Sequence, residues 1–207
     1  MTVSPILFLN ICLIITISFP WAKCCLYNCG TIEKESFGRV FLSSVFFILV
    51  FFFFLYPDFY YSIIKKIRLT GFFILILCTL LCIVSENIIF KIKYGTVLKI
   101  TIPEKKSILI LITFFIPIAE EIIFRGCYKY LLEIYQVPII IYILFSSICF
   151  GLNHIIYSKI NIFTKSVWGI FLSISYLITG NLLIPILSHI LANVIYVTFT
   201  KIKRCYA

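Results

Sequence analysis

The sequence is poor in charged residues. Only 13% of its 207 residues are charged, whereas 62% are hydrophobic and the mean hydropathy is +1.14. A typical soluble domain has about 25% charged residues. A soluble fold could not cover this much apolar surface, so a soluble globular protein is excluded. The 22 Phe and 13 Tyr residues also exclude a disordered chain.

Acidic residues and histidines are scarce. There are 8 Asp and Glu against 18 Lys and Arg, and only two histidines. The basic excess does not indicate nucleic-acid binding, because the Lys and Arg residues stand at the ends of apolar runs, where they meet lipid headgroups. The cluster Cys24, Cys25 and Cys29 has no matching Cys/His pair downstream, which argues against a zinc site there and leaves a disulfide or acylation open.

What the chain has in abundance is apolar runs. They lie at about residues 5–22, 40–57, 69–90, 107–125, 138–154, 162–179 and 182–200. Each is close to the length of a helix that crosses a bilayer, and each is bounded by Lys, Arg, Pro or Gly, for example Pro138, Lys165 and Gly180. Because backbone groups in lipid must be satisfied within the segment, the sequence predicts an all-α polytopic membrane protein. We expect a bundle of about seven transmembrane helices with the active site inside it.

The basic residues also predict an orientation. Apart from Arg125, which lies inside an apolar run, thirteen Lys and Arg residues lie in the C-terminal tail and in the loops after the first, third and fifth runs, and four lie on the other side. The positive-inside rule therefore places the C-terminus in the cytoplasm. The expected location is multi-pass in a membrane, the cytoplasmic membrane if the protein is bacterial.

Several polar residues stand inside the apolar runs, where an ionisable group costs roughly 2.5–3.5 kcal/mol. They are Glu86, Glu120, Glu121, Arg125, His154 and His189, together with the amides Asn153 and Asn193. Both histidines of the chain belong to this set. Glu86 is interpreted as a charge near a helix end, beside Asn87 and Lys91. The others predict a site within the bundle.

The spacing of the acidic pair separates its two carboxylates. Glu121 and Arg125 are four residues apart, so they share a helix face and can form an ion pair. Glu120 is rotated by about 100°, which leaves it free of that pairing and makes it a candidate general base. The alternative is structural: a buried Glu–Arg pair that locks two helices, with Glu120 directed toward the membrane surface.

His189 and Asn193 are also four residues apart, so two hydrogen-bond donors face one direction, as an oxyanion requires. An interhelical hydrogen-bonded pair is the alternative. His154 completes a coherent site for peptide hydrolysis, in which Glu120 and His154 activate a water. A zinc site with an open position, held by His154, His189 and Glu120, is equally compatible with the residues. Pro117 and Pro185 are expected to bend or start helices beside the site.

At these residues the chain resembles the CPBP family of CAAX-prenyl proteases and bacteriocin-processing intramembrane endopeptidases, also called the Abi family. The family pattern is E-E-x-x-x-R, F-x-x-x-H and H-x-x-x-[N/D], in this order. Here it reads Glu120-Glu121…Arg125, Phe150…His154 and His189…Asn193. The resemblance covers about residues 107–200, which we therefore interpret as the catalytic core. The N-terminal helices of residues 1–106 and the basic tail of residues 201–207 carry no family motif.

The resemblance implies a membrane protease that hydrolyses a peptide bond in a prenylated C-terminus or a leader peptide. It implies Glu120 as the base, His154 as its partner, and His189 and Asn193 as oxyanion stabilisers, with Glu121 and Arg125 supporting the site. The family has long been described as metalloproteases, and more recently as using a glutamate-activated water that needs no cofactor. The expected partners are the lipid bilayer and a membrane-associated peptide or protein. A catalytically idle immunity or partner-binding protein of the same fold, or a small transporter, fits the same residues.

The apolar runs place Glu120 near the non-cytoplasmic end of the fourth helix and His154 near the cytoplasmic end of the fifth helix. At 1.5 Å per residue these two depths differ by on the order of 20 Å. A common site requires that the fourth helix continue past Arg125 through residues 128–133, or that the fifth start later than Pro138. We predict the first: a long fourth helix with Glu120 near its middle.

Overall fold

The structure is a computed structural model that describes residues 68–95, 111–155 and 158–199. The first two predicted helices, the Cys24, Cys25 and Cys29 cluster and the basic tail lie outside these residues. The orientation and the total of seven helices therefore stay predictions.

The described residues are helical apart from short connections, and no strand occurs among them. The elements in chain order are helix α1 (Leu69–Tyr94), the π-helical segment π1 (Leu111–Phe115), α2 (Ile116–Glu121), the π-helical segment π2 (Ile122–Cys127), α3 (Tyr128–Ile134), α4 (Ile139–Leu152), α5 (Lys159–Thr179) and α6 (Leu183–Phe199). The stretch from π1 to α3 is continuous. Five helical rods thus correspond to the third to seventh apolar runs, and α1 and α5 are each long and apolar enough to cross a membrane.

The helix boundaries follow from local chemistry. Gly180 ends α5 in a left-handed conformation with φ of 57°, which glycine adopts without a steric penalty. The side chain of Asn181 then accepts a hydrogen bond from the Leu183 amide, which opens α6. Pro138 immediately precedes α4, as the apolar run predicted, and Pro185 lies in the first turn of α6.

The long rod from π1 to α3 confirms the prediction about the fourth helix. The helical backbone continues through Arg125 to Ile134, and Glu120 lies near the middle of the described stretch. Its two π-helical segments flank the acidic pair. π-helical turns are rare in proteins overall, and those that occur are often found at functional sites.

The bundle has an inverted distribution of polarity. Large apolar side chains are exposed along α1 and α4, for example Phe73, Leu77 and Ile140. The interior holds, among apolar core residues such as Phe150 and Trp168, an unusual number of polar and charged side chains, which include Thr79, Glu86, Glu120, Glu121, Arg125, Ser146, Ser147, Thr164, Ser173, Ser188 and His189. Apolar residues outside and hydrogen-bonded polar residues inside are what lipid requires of a helix bundle.

Helices α4 and α5 approach each other closely because glycines stand at their contact. A Cβ atom on Gly169 would lie 2.7 Å from the Cα atom of Ser147, and one on Gly151 would overlap Ser166 and the Ile162 carbonyl. Small residues at such contacts let helix backbones pack tightly in a membrane. Helix α5 also packs on α1, and α6 packs on α1 and α2, so α5 and α6 form the centre of the described bundle.

Two sequence interpretations are wrong. Lys165 does not bound a helix: it lies in the second turn of α5, and its ammonium is 2.9 Å from the carboxylate of Glu86. Glu86 is correspondingly not a charge near a helix end, because α1 continues to Tyr94, and its side chain is buried, with 1% exposure. The hydropathy pattern could not predict the Glu86–Lys165 ion pair, because the two residues are 79 positions apart.

The α4–α5 contact generates a stability prediction. Gly169→Ala places a methyl group against the backbone of α4, so we expect a loss of about 1–3 kcal/mol, as for other overpacked interiors. Thermal unfolding followed by circular dichroism in detergent measures it. Ile178→Ala, at a side chain of α5 that is 66% exposed, is the matched control. Equal unfolding temperatures for the two variants would contradict the close approach.

Candidate active site

The Glu121 carboxylate is fully enclosed, with no exposed surface. Its Oε2 atom is 3.1 Å from Nε of Arg125, and Nη1 of Arg125 donates to Oε1 at 3.3 Å. The ion pair expected from the four-residue spacing is therefore present. A buried carboxylate and guanidinium offset each other's desolvation only when both are well hydrogen-bonded.

Arg125 reaches across to neighbouring helices. Its Nη2 donates to the Gly169 carbonyl of α5 at 3.4 Å, and its Cζ atom lies 4.4 Å from the ring centroid of Phe150 in α4. The guanidinium therefore joins three rods through an ion pair, a backbone hydrogen bond and a cation–π contact. It is fully buried.

The wide turn of π2 is stabilised from α4. Ser146 donates to the Phe124 carbonyl at 2.6 Å, and the Tyr142 hydroxyl donates to the Arg125 carbonyl at 3.4 Å. In an apolar interior, backbone carbonyls need such partners. The two hydroxyls therefore hold the backbone that carries Arg125.

His189 stands between the two carboxylates. Its Nδ1 lies 2.8 Å from Oε1 of Glu121, and its Nε2 lies 3.9 Å from Oε2 of Glu120. Because a carboxylate only accepts, Nδ1 carries the hydrogen that is donated to Glu121. Nε2 consequently faces Glu120, at a separation too long for a direct hydrogen bond and suited to a shared water.

Aromatic rings fix the plane of His189. The edges of Phe150 and Trp168 meet it at interplanar angles of 87° and 81°, with centroid distances of 5.6 and 5.8 Å. These edge-to-face contacts are the favoured geometry of aromatic pairs. The sequence analysis did not predict the contact of Glu121 with His189 or that of Trp168 with His189. A local signal for the second was available, because Lys165 and Trp168 are three residues apart and therefore share a helix face.

His154 lies just beyond α4 and is partly buried. Its Nδ1 is 3.0 Å from the Phe150 carbonyl, which only accepts, so Nδ1 donates and Nε2 is the acceptor nitrogen of the neutral ring. The His154 ring is 5.0 Å from the Phe150 ring. Since His189 contacts the same ring at 5.6 Å, the separation of the two histidine rings cannot exceed the sum of these distances.

Asn193 and Asn153 complete the predicted set. Asn193 lies one turn after His189 on α6, on the same helix face, and is partly buried. Asn153 is buried and donates to the Cys149 carbonyl at 3.4 Å. The structure thus brings Glu120, Glu121 and His189 into one cluster, and it links His154 to that cluster through Phe150.

The described residues do not fit the zinc alternative. Among residues 68–95, 111–155 and 158–199, no group of three or more His, Cys, Asp or Glu side chains is arranged to hold a metal ion. We therefore derive no step through a metal.

Comparison with known families agrees with the motif pattern. Residues 103–195 match the model of the type II CAAX prenyl endopeptidase Rce1-like family. These residues form an Rce1-like domain. The family is one of membrane-embedded helical proteases, so the domain is that of a peptide hydrolase that acts in a membrane. No curated protein and no solved structure gives a significant match to the chain.

The Rce1-like segment contains all three motifs but not helix α1, which ends at Tyr94. It thus includes Glu120, Glu121, Arg125, His154 and His189, and the contacts of α1 with this cluster lie outside the family pattern. The match assigns a family and does not by itself assign a role to any residue.

The buried pair generates a prediction about stability. Glu121→Gln and Arg125→Met each leave one buried charge unpaired, and we expect each to cost about 3–5 kcal/mol. The double variant removes both charges together and should cost less than the sum of the single variants. Unfolding of the four proteins in detergent gives the coupling as a double-mutant cycle.

The exposed Lys129–Glu133 pair of α3, with a distance of 2.7 Å at the same four-residue spacing, is the matched control. Its cycle should give a coupling of about 0.5 kcal/mol or less. Coupling of equal size in the two cycles would contradict a special role for burial.

Proposed function

We propose that the protein is an intramembrane endopeptidase that hydrolyses a peptide bond in a membrane-associated substrate. The observation that carries the proposal is the position of His189, whose two nitrogens face two buried carboxylates, at 2.8 Å from Glu121 and 3.9 Å from Glu120. A polar cluster of this kind inside an apolar bundle is costly. A catalytic role for the cluster would account for this cost.

In this proposal Glu120 is the general base. It is buried, with 4% exposure, and its Oε2 atom faces His189 rather than Arg125. A water held beside this oxygen gives up a proton to it and attacks the carbonyl carbon of the scissile bond. His154, whose Nε2 is an acceptor in the neutral ring, assists in orienting or deprotonating the water.

His189 and Asn193 stabilise the oxyanion that forms on attack. In the proposal His189 holds a proton on both nitrogens throughout the cycle: Nδ1–H donates to Glu121, which balances the imidazolium charge, and Nε2–H donates to the oxyanion. The Asn193 amide supplies a second donor from the next turn of α6. Return of the proton from Glu120 to the leaving amine completes hydrolysis, so the protein ends in its starting state.

The substrate is proposed to be a prenylated C-terminal peptide, with a leader peptide as the second class. The support is the match of residues 103–195 to prenyl endopeptidases and the position of the cluster in an apolar bundle, which a lipidated peptide can approach from the bilayer. The alternatives of an idle immunity or partner-binding protein and of a small transporter become outcomes of the test.

Glu120→Gln removes the base without changing the size of the side chain. We expect it to lower the rate of cleavage of prenylated or leader-type peptides in liposomes by about 100-fold or more. Chelators should leave the wild-type rate unchanged. Glu133→Gln, at an exposed carboxylate of α3, is the matched control and should cleave at the wild-type rate.

Three results would contradict the proposal. Cleavage by Glu120→Gln at the wild-type rate would exclude Glu120 as the base. Loss of activity with chelators and its return with zinc would restore the metal alternative. Absence of cleavage across a broad peptide panel, with a folded wild-type protein, would favour the idle binding protein.

A further inference from the structure

Helix α1 contacts the site through buried polar groups, although it lies outside the matched residues 103–195. Thr79 donates to the Ser188 carbonyl at 3.4 Å, and Ser188 donates to the Leu75 carbonyl at 3.2 Å. These two bonds join α1 to α6 at the residue immediately before His189.

The second connection is ionic. Glu86 of α1 is buried, and its Oε2 atom is 2.9 Å from Nζ of Lys165 in α5, whose side chain is 15% exposed. The same ammonium lies 3.4 Å from the ring centroid of Trp168. A cation at this distance from an indole face is strongly attracted to it when both are shielded from water.

Trp168 connects the Glu86–Lys165 ion pair to the site. It is fully buried, its edge-to-face contact with His189 has a centroid distance of 5.8 Å, and it stacks on Tyr196 at an interplanar angle of 19°. Tyr196 in turn donates to the Ile83 carbonyl of α1 at 3.3 Å. Trp168 therefore lies between Lys165 of α5 and Tyr196 of α6, both of which contact α1, while it also contacts the imidazole.

We propose that Glu86 and Lys165 are positioning residues, which hold Trp168 against His189 and so set the orientation of the imidazole between Glu120 and Glu121. The kinetic part of this inference rests on the proposed function, whereas its structural part does not. Lys165 orients the indole by its charge, and Glu86 keeps that charge in place. Neither residue touches the reacting atoms.

The presence of only two histidines allows a direct test. The full-length protein with ¹³C-labelled histidine, in detergent, should give two imidazole signals, and His154→Gln identifies that of His189. The test variant is the neutral pair Glu86→Gln with Lys165→Met, which removes both charges and leaves neither unpaired. We expect its His189 signal to shift by an amount comparable with that in Trp168→Phe, and its His154 signal to stay in place.

Kinetics provide the second readout. A displaced imidazole weakens stabilisation of the transition state, so the neutral pair should lower kcat by about 10- to 100-fold with little change in KM. Lys165→Arg, which keeps the cation and the ion pair, should retain most of the activity. The neutral version of the exposed pair, Lys129→Met with Glu133→Gln, should change neither the signals nor the rate.

A folded neutral pair with an unchanged His189 signal and kcat would overturn the proposal and leave Glu86 and Lys165 with a structural role only. If the neutral pair does not fold, Trp168→Phe decides, since an unchanged His189 signal and kcat in that variant would equally overturn it. If the wild type cleaves no peptide, the proposed function fails, and the histidine signals still test the positioning.

Discussion

The burial of the Glu121 charge constrains the rest of the site. A carboxylate without exposed surface costs several kcal/mol unless donors surround it, and here the donors come from Arg125 on the same rod and His189 on α6. Arg125 must then be held as well, which the Gly169 carbonyl and the Phe150 ring accomplish. Four rods are thereby fixed around one charge. Oε2 of Glu120 lies 3.9 Å from Nε2 of His189, and the proposed function assigns separate roles to these two adjacent carboxylates.

Close packing makes that network possible. Without a hydrophobic force between helices in lipid, association depends on van der Waals contact and interhelical hydrogen bonds. Gly151 and Gly169 bring α4 and α5 together, and the wide turn of π2 gives the Phe124 and Arg125 carbonyls partners on α4. The exposed surface carries large apolar side chains, and the charged groups of the site are buried among apolar ones. The same packing therefore presents apolar side chains to the lipid and gives the buried charges their hydrogen-bond partners.

The sequence predicted the helical class, the approximate positions of five rods and the Glu121–Arg125 pair, because hydropathy and four-residue spacing are local properties. It also predicted the long fourth helix, from the requirement that Glu120 and His154 share a site. It could not predict that His189 contacts Glu121, because the residues are 68 positions apart. The same reason explains the wrong interpretations of Glu86 and Lys165. Periodicity reports which residues share a face of one helix, whereas partners on other helices depend on how the rods cross.

Incorporation of ¹⁸O from water into the product is the most direct test of hydrolysis by a water that Glu120 activates. A prenylated peptide is cleaved in H₂¹⁸O with a chelator present, and the N-terminal fragment, whose C-terminus is the new carboxylate, is analysed by mass spectrometry. Activation of water by Glu120 predicts one ¹⁸O atom in the new carboxylate for the wild type and no fragment above background for Glu120→Gln. A labelled fragment of equal yield from Glu120→Gln, or a wild-type fragment that forms only after zinc is restored, would contradict it.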